Sequence, residues 1–271
     1  MKKVILSFTL IIVLLITIFI SYEFIYLTFK NKAELENSIS EIEKNEQSPF
    51  VIEKEAIFNS ASAKNNVENK KFDENNWLFT LLQYTDIAIY IKPVDKKLSE
   101  SNTVKNLSID NIKIKTSDKL SKSDLYFLDA QNFGTDKFKE SDLINENLTF
   151  TVLNDKNKDN IIKSNTPVFF SDCSNPITLK LVNVVDENFK LATNEMYSFN
   201  SKILDKYKDE TNYDLSNLDY EISFDINLTS YSNVNYTYPV LITNNYSKLD
   251  FEKGYNLIVK TDFTFDKFIE K

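Results

Sequence analysis

The hydrophobic pattern begins with one long apolar run. From Val4 to Phe29 the chain reads VILSFTLIIVLLITIFISYEFIYLTF, in which Glu23 is the only charged residue. A helix of that length is roughly 39 Å long, which exceeds the ~30 Å hydrocarbon core of a bilayer. A cleaved signal peptide has only about 7 to 15 apolar residues and a small-x-small cleavage site, and no such site follows this run at Ser21–Phe24. The run therefore predicts one uncleaved transmembrane signal anchor that contacts membrane lipid.

Charges flanking the run predict its orientation. Lys2 and Lys3 precede it, whereas Lys30 and Lys32 are mixed with acidic residues after it. The positive-inside rule then places the N-terminus in the cytoplasm and the C-terminal domain outside the cell. We expect a single-pass protein of the cell membrane with an extracytoplasmic domain.

The pattern after the run changes to a helical stripe and then to a polar stretch. Leu35, Ile39 and Ile42 recur at helical spacing among Glu and Lys, and the segment from Ser60 to Asn76 has almost no large apolar residue. The stripe is typical of an amphipathic stem or of a short self-association seam. The predicted organisation is a cytoplasmic tip and transmembrane anchor at 1–30, a helical stalk and polar linker at 31–76, and an extracytoplasmic β-rich domain at 77–271.

From Trp77 onward the pattern has a period of two. In EISFDINL the apolar residues from Ile222 to Leu228 alternate with polar ones, which places one face of a strand on a core. Many strands without regular intervening helices favour an all-β antiparallel sandwich with a jelly-roll-like arrangement. Further strands are predicted at Ile87–Ile91, Leu107–Ile114, Leu148–Leu153, Pro167–Phe170, Ile177–Val185, Tyr236–Ile242 and Leu257–Phe265, and a short helix at Ser201–Asp209.

Composition removes several kinds of chemistry. The 271 residues include no His, no Arg among 32 basic residues and only two Gly. The Ser-His-Asp, Cys-His and HExxH arrangements are therefore excluded, as are bidentate Arg contacts and glycine-rich phosphate loops. A net charge of -8 opposes binding to a polyanion, so nucleic acid is not an expected partner. We predict no catalytic residue and no cofactor.

One segment has part of a calcium-loop pattern. Asp155, Asn157 and Asp159 place oxygen ligands at alternate positions. Asn160 stands where such a loop requires Gly, and the closing acidic ligand is missing. We interpret Asn154–Asn160 as a solvated hairpin turn, with weak Ca²⁺ binding as the alternative, and the metal assignment stays open.

Nucleophilic and carboxylate catalysis have little support in the sequence. Cys173 is the only cysteine, so it cannot form an internal disulfide, and it lacks a neighbour that would stabilise a thiolate. It is interpreted as a turn or core thiol. A pair of acids could still hydrolyse a glycosidic bond, but nothing singles out one pair among 40 acidic residues.

Tyrosines and glycosylation sequons are the remaining candidate features. Exposed rings beside amides could form a sugar-stacking surface, although Tyr is also an ordinary strand residue. The tyrosines concerned are Tyr231, Tyr236, Tyr238 and Tyr246, and Asn-x-Ser/Thr sequons lie at Asn106, Asn147, Asn227, Asn235 and Asn245.

Two local segments resemble known families. The octapeptide from Leu107 to Ile114, LSIDNIKI, resembles a strand of the galactose-binding-like jelly rolls found in carbohydrate-binding modules, which implies a β-sandwich and sugar binding. The segment from Ser7 to Ile11, followed by the apolar helix, resembles a type IV pilin N-terminus, although Ser7 and Ile12 replace the usual Gly and Glu. The whole layout resembles membrane-anchored exported proteins of low-GC Gram-positive bacteria.

Together these observations predict a single-pass membrane protein that presents a β-sandwich for binding or assembly at the cell envelope. Its expected partner is an envelope protein or polysaccharide. The alternatives are a pilin-like assembly subunit and an envelope hydrolase that uses carboxylates.

Overall fold

The computed structural model describes residues 48–65, 76–95, 97, 99–145, 147–153, 168–170, 176–192, 202–261 and 268–270. Ser48–Lys271 belong to one compact unit. The predicted anchor, most of the stalk and linker, and the calcium-like segment Asn154–Asn160 lie outside the described residues. Within those residues, no helix combines the length and the apolar character needed to cross a membrane.

The described residues are mostly strands. They form β1 (Phe50–Asn65), β2 (Asn76–Pro93), β3 (Val104–Thr116), β4 (Lys122–Phe127), β5 (Leu148–Leu153), β6 (Val168–Phe170), β7 (Ile177–Ala192), helix α1 (Lys202–Thr211), β8 (Tyr220–Ser230), β9 (Asn235–Asn244), β10 (Asn256–Lys260) and β11 (Ile269–Glu270).

The strands form two sheets that share one core. The first sheet has the order β10-β1-β2-β7-β4, and the second has the order β11-β9-β8-β3-β5-β6. One cluster of buried side chains includes Ile87 and Leu179 from the first sheet and Ile109 and Phe224 from the second. The prediction of a mostly antiparallel β-sandwich is therefore confirmed.

Strand β8 shows how the alternation builds a half-buried strand. Buried and partly exposed residues alternate without interruption from Tyr220 to Ser230. Ile222, Phe224 and Ile226 all point into the shared core. Full burial of each such side chain contributes about 1.5 to 3 kcal/mol by transfer from water, which fixes the face of the strand. The predicted face of this strand is confirmed.

The β domain starts earlier than the predicted boundary at Trp77. Strand β1 pairs with β2 from Phe50↔Pro93 to Asn65↔Phe79. Residues 60–65, which the sequence analysis placed in a polar linker, are therefore the end of a strand. The short side chains Ala61 and Ser62 are buried there, at 0% and 1% exposure. This burial places the segment inside the domain.

One pair of strands departs from the antiparallel arrangement of the rest. Strands β5 and β6 pair in parallel, from Thr151↔Val168 to Leu153↔Phe170. A two-residue hairpin can join only antiparallel neighbours, and parallel strands need a long crossover. The residues between β5 and β6 lie outside the described part of the chain, so the interpretation of Asn154–Asn160 as a hairpin turn stays a prediction.

The inner face of the first sheet also carries a polar belt. Thr85 Oγ1 donates to Asn59 Oδ1 at 2.9 Å, and Gln83 Nε2 donates to Thr85 Oγ1 at 2.9 Å. Asn183 Nδ2 donates to Gln83 Oε1 at 2.6 Å. The belt separates the shared core from a second apolar cluster, which α1 covers with Ile203 and other side chains.

Asparagine takes the left-handed backbone positions that Gly usually occupies. Asn111, Asn212 and Asn233 have φ of 56°, 56° and 64°. Asn212 follows the last residue of α1, where a left-handed residue ends a helix, and Asn233 lies in the β8–β9 turn. Asn111 lies at a bulge where β3 shifts register against β8 between Asp110 and Lys113.

Candidate functional site

An open groove lies where β5 leaves β3. Strand β5 pairs with β3 only from Leu107 to Ile109, and no described strand continues that pairing beyond Ile109. The segment that precedes β5 instead attaches to the first sheet, because the Ile144 N–H donates to the Leu125 carbonyl at 2.8 Å. The resulting gap at the side of the sandwich has a volume of about 320 Å³.

Apolar and amide side chains line this groove in equal numbers. The isoleucines offer aliphatic surface, and the amides offer both donors and acceptors of hydrogen bonds. None of the lining residues carries a formal charge. They are Asn111, Ile112, Ile114, Ile144, Asn145 and Asn147.

The bulge in β3 explains how this strand serves the groove. Because Asn111 is the extra residue, Ile112 and Ile114 both pack against the shared core. The Asn111 amide is held in place, since its Nδ2 donates to Asp225 Oδ2 at 2.7 Å. A polar group fixed before binding loses less freedom when a ligand arrives.

Two carboxylates lie opposite each other beside the bulge. Asp110 and Asp225 are direct cross-strand partners on β3 and β8. Asp110 Oδ2 accepts from Asn227 Nδ2 at 2.7 Å and from Ser108 Oγ at 3.2 Å. Directly opposite residues point to the same face of a sheet and have Cβ atoms about 4.5 to 5.5 Å apart, so the two carboxyl groups are near neighbours.

A second polar site is completely buried on the outer face of the first sheet. Asp86 on β2 and Lys180 on β7 are cross-strand partners, and Lys180 Nζ contacts Asp86 Oδ1. Their side chains are 1% and 0% exposed. The connection between β4 and β5 covers them: the Gly134 N–H donates to Asp86 Oδ2 at 2.6 Å, and Lys180 Nζ donates to the Thr135 carbonyl at 2.8 Å.

Burial opposes charge on both members of this pair. Burial raises the pKa of Asp86 to about 6, although the positive charge of Lys180 and the Gly134 amide act in the opposite direction. Burial also lowers the pKa of Lys180, against the attraction of Asp86. Desolvation is thus the largest influence on each group, because neither retains contact with water.

Further polar groups surround the pair. The Tyr84 ring lies 5.1 Å from Lys180 Nζ, and its hydroxyl shares a hydrogen bond of 2.8 Å with Ser62 Oγ. Lys64 Nζ donates to the Asp136 carbonyl at 2.9 Å. The charges of Lys64 and Asp136 act on Lys180 in opposite directions, Lys64 lowering its pKa and Asp136 raising it.

The structure does not gather the predicted tyrosines into one surface. Tyr236 and Tyr246 are buried, at 6% and 1% exposure, and they belong to different core clusters. Tyr231 is exposed at a turn, and Tyr238 is partly buried against the shared core. A continuous stacking surface made of these rings is therefore excluded.

The remaining predicted features are a cysteine, a calcium-like segment, several sequons and the open metal assignment. Cys173 and the calcium-like segment lie outside the described residues. Two of the sequon asparagines can be placed relative to the groove. Asn147 lines it, whereas Asn227 is partly buried and forms hydrogen bonds with Asp110 and Thr237. In the described part of the chain, no three Cys, Asp or Glu side chains are grouped to hold a metal ion.

Sequence reasoning missed Asp86 and Lys180, although each leaves a trace in the sequence. Asp86 interrupts the run YTDIAIYI, and Lys180 interrupts ITLKLVNVV. A single charge inside a long apolar strand predicts either a wet face or a buried partner. The missing information is that another segment covers this face.

Comparisons with protein-family models, with curated proteins and with solved structures found no match to the chain. What the chain does must therefore follow from its own residues.

Proposed function

We propose that the chain is a membrane-anchored binding protein of the cell envelope, and that its β-sandwich binds a neutral polysaccharide in the groove beside β3. The observation that carries this proposal is the lining of the groove. Three Ile side chains and three Asn amides fit a ligand with aliphatic C–H faces and hydroxyl groups. A net charge of -8 disfavours an anionic polymer.

The local resemblance of the β3 strand supports the same ligand class. The octapeptide LSIDNIKI, which resembles a strand of galactose-binding-like jelly rolls, contains Asn111, Ile112 and Ile114 of the groove. The apolar run Val4–Phe29 supports the membrane anchor, and its flanking lysines support an extracytoplasmic position for the sandwich.

Replacement of one groove amide tests this function. Asn111→Gly removes the amide and keeps the left-handed backbone, because Gly adopts positive φ at no steric cost. Affinity for neutral cell-wall oligosaccharides, measured by isothermal titration on the purified chain, should fall roughly 2- to 10-fold for the loss of one hydrogen bond.

Asn233→Gly is the matched control, because it makes the same change at another left-handed position that does not line the groove. Its affinity should equal that of the unaltered chain. Equal affinities for the two variants would exclude the groove, and binding of extended peptides but of no oligosaccharide would exclude the ligand class.

A second candidate function is hydrolysis of such a polysaccharide by a carboxylate pair. The observation that favours it is the direct opposition of Asp110 and Asp225 beside the groove residue Asn111. Release of reducing ends from the bound oligosaccharide, abolished by Asp225→Asn, would distinguish hydrolysis from simple binding.

A further inference from the structure

The buried Asp86–Lys180 contact brings an amine and a carboxyl group together without water. The two residues are direct partners on β2 and β7, which are both interior strands of the first sheet. Lys180 Nζ contacts Asp86 Oδ1, and the two side chains are 0% and 1% exposed. The nitrogen is thus held next to the carboxyl carbon in the folded protein.

Burial also favours the reactive forms of both groups. It raises the pKa of Asp86 and lowers the pKa of Lys180. A proton that moves from Nζ to Oδ1 leaves a neutral amine beside a neutral carboxylic acid. These are the two species that condense to an amide.

The surrounding backbone orients both reactants. The Gly134 N–H donates to Asp86 Oδ2 at 2.6 Å, so it would stabilise the negative charge that develops on this oxygen when Cγ is attacked. Lys180 Nζ donates to the Thr135 carbonyl at 2.8 Å, which restricts the direction of the nitrogen. Gly134 is one of only two glycines in the chain, and its φ is +73°.

We propose that Lys180 and Asp86 form an intramolecular isopeptide bond that joins β2 to β7. The Nζ lone pair forms a bond to Cγ of the protonated Asp86 carboxyl group. One hydrogen of the amine passes to Oδ1, the Cγ–Oδ1 bond breaks, and one water molecule leaves. Oδ2 remains as the carbonyl oxygen of the new amide, and no oxidant or other reactant is consumed.

Proximity makes this condensation feasible although amide hydrolysis is favoured in bulk water. Groups held in a reactive geometry behave as if one were present at roughly 10⁵ to 10⁸ M. The site excludes water, so the reverse reaction lacks its co-reactant there. The product also removes two buried charges from the interior.

Intact-mass spectrometry of the denatured, purified full chain tests the proposal directly. The measured mass should be lower than the sequence mass by one water. Trypsin should then release a branched peptide that contains residues 72–96 and 164–190, with no cleavage after Lys180, because the linked lysine is no longer a substrate. Fragment spectra should place the bond between Lys180 and Asp86.

Variants separate this bond from an accidental loss of water. Lys180→Arg should have its full sequence mass, and Asp86→Asn should lose ammonia in place of water. Lys260→Arg is the matched control, because Lys260 forms an ion pair of 2.7 Å with Glu55 but is half exposed. This control should still lose one water.

The proposal is overturned if the unaltered chain has its full sequence mass and trypsin cleaves after Lys180. A mass loss that fragment spectra assign to another pair of residues would overturn it equally. These results come from the unaltered chain, so they do not depend on whether any variant folds.

Discussion

At the residue scale, a buried charge is stable only where neighbouring groups replace the water that it has lost. Before the proposed isopeptide bond forms, Asp86 has two such neighbours, the Lys180 ammonium and the Gly134 N–H. Lys180 in turn has Asp86, the Thr135 carbonyl and the Tyr84 ring. Removal of one member therefore leaves the other without its main compensation.

At neutral pH, Lys180→Met should be about 3 to 5 kcal/mol less stable than the double variant Asp86→Asn, Lys180→Met, because it leaves a carboxylate buried without its counter-ion. The loss should be smaller in acid. The pKa of Asp86 is raised from 3.8 to about 6 in the unlinked pair, and it should be at least as high without the cation. A raised pKa adds stability below the ordinary pKa, and this contribution disappears as pH rises through the folded value. Urea melts between about pH 4 and pH 8 measure this effect.

The double variant Asp86→Asn, Lys180→Met is the reference for these melts, because it retains Lys64, Asp136 and Tyr84 around the site. The difference in unfolding free energy between the single and the double variant should grow from about pH 4 to about pH 7. A difference that is constant with pH would contradict the assignment of the titration to Asp86.

The sequence predicts the face of a residue better than its surroundings. Alternation in β8 correctly places Phe224 in the core, because the opposite face of that strand is only partly covered. Asp86 and Lys180 lie on the outer face of the first sheet, next in sequence to Ile87 and Leu179 of the shared core. The period of two contains no information about the β4–β5 connection, whose residue Gly134 covers them.

At the element scale, β1 is an interior strand of the first sheet. It pairs with β2 on one side and with β10 on the other. Its side chains Phe50, Ile52 and Ile57 belong to the shared core. The strand therefore contributes hydrogen bonds to two neighbours and apolar area to the sandwich.

A fragment of residues 77–271, which begins at the boundary predicted from sequence, should fail to fold. It lacks β1, so β2 and β10 lose a neighbour and the core loses Phe50, for which truncation alone costs about 3 to 5 kcal/mol. A fragment of residues 48–271 should give a β-type circular dichroism spectrum and a cooperative urea transition. Equal transitions for the two fragments would contradict the assigned role of β1.

The sequence of β1 hides its strand character for physical reasons. A register shift between Ile52 and Lys54 interrupts the alternation, so the apolar positions change parity. Towards its end the strand buries Asn59 and Ala61, which do not form an apolar pattern. The groove was equally hidden, since it depends on where β5 leaves β3, which is a tertiary feature.

At the scale of the whole molecule, the apolar run Val4–Phe29 predicts that the chain crosses the membrane once. The N-terminus is then expected in the cytoplasm, and the β-sandwich with the C-terminus outside the cell. In intact cells or protoplasts, an external protease should remove a C-terminal tag from the full chain. The flanking charges Lys2 and Lys3 give the physical reason for this orientation.

Permeabilised cells provide the control, because the protease then reaches both sides of the membrane. A tag that survives in intact cells and disappears only after permeabilisation would reverse the predicted orientation. A tag found on soluble protein in the medium would show that the anchor is cleaved.

The left-handed asparagines also affect the unfolded chain. Average proteins contain about 7% Gly, whereas this chain has two glycines in 271 residues and uses Asn111, Asn212 and Asn233 in left-handed positions. An asparagine has a Cβ atom, so its backbone samples fewer conformations than glycine before folding. Replacement of a compatible Gly by a residue with a Cβ typically stabilises a protein by about 0.4 to 1 kcal/mol for this reason. Each such asparagine lowers the conformational entropy that folding must overcome, and this contribution acts through the unfolded chain, separately from the hydrogen bonds that Asn111 and Asn233 form in the folded protein.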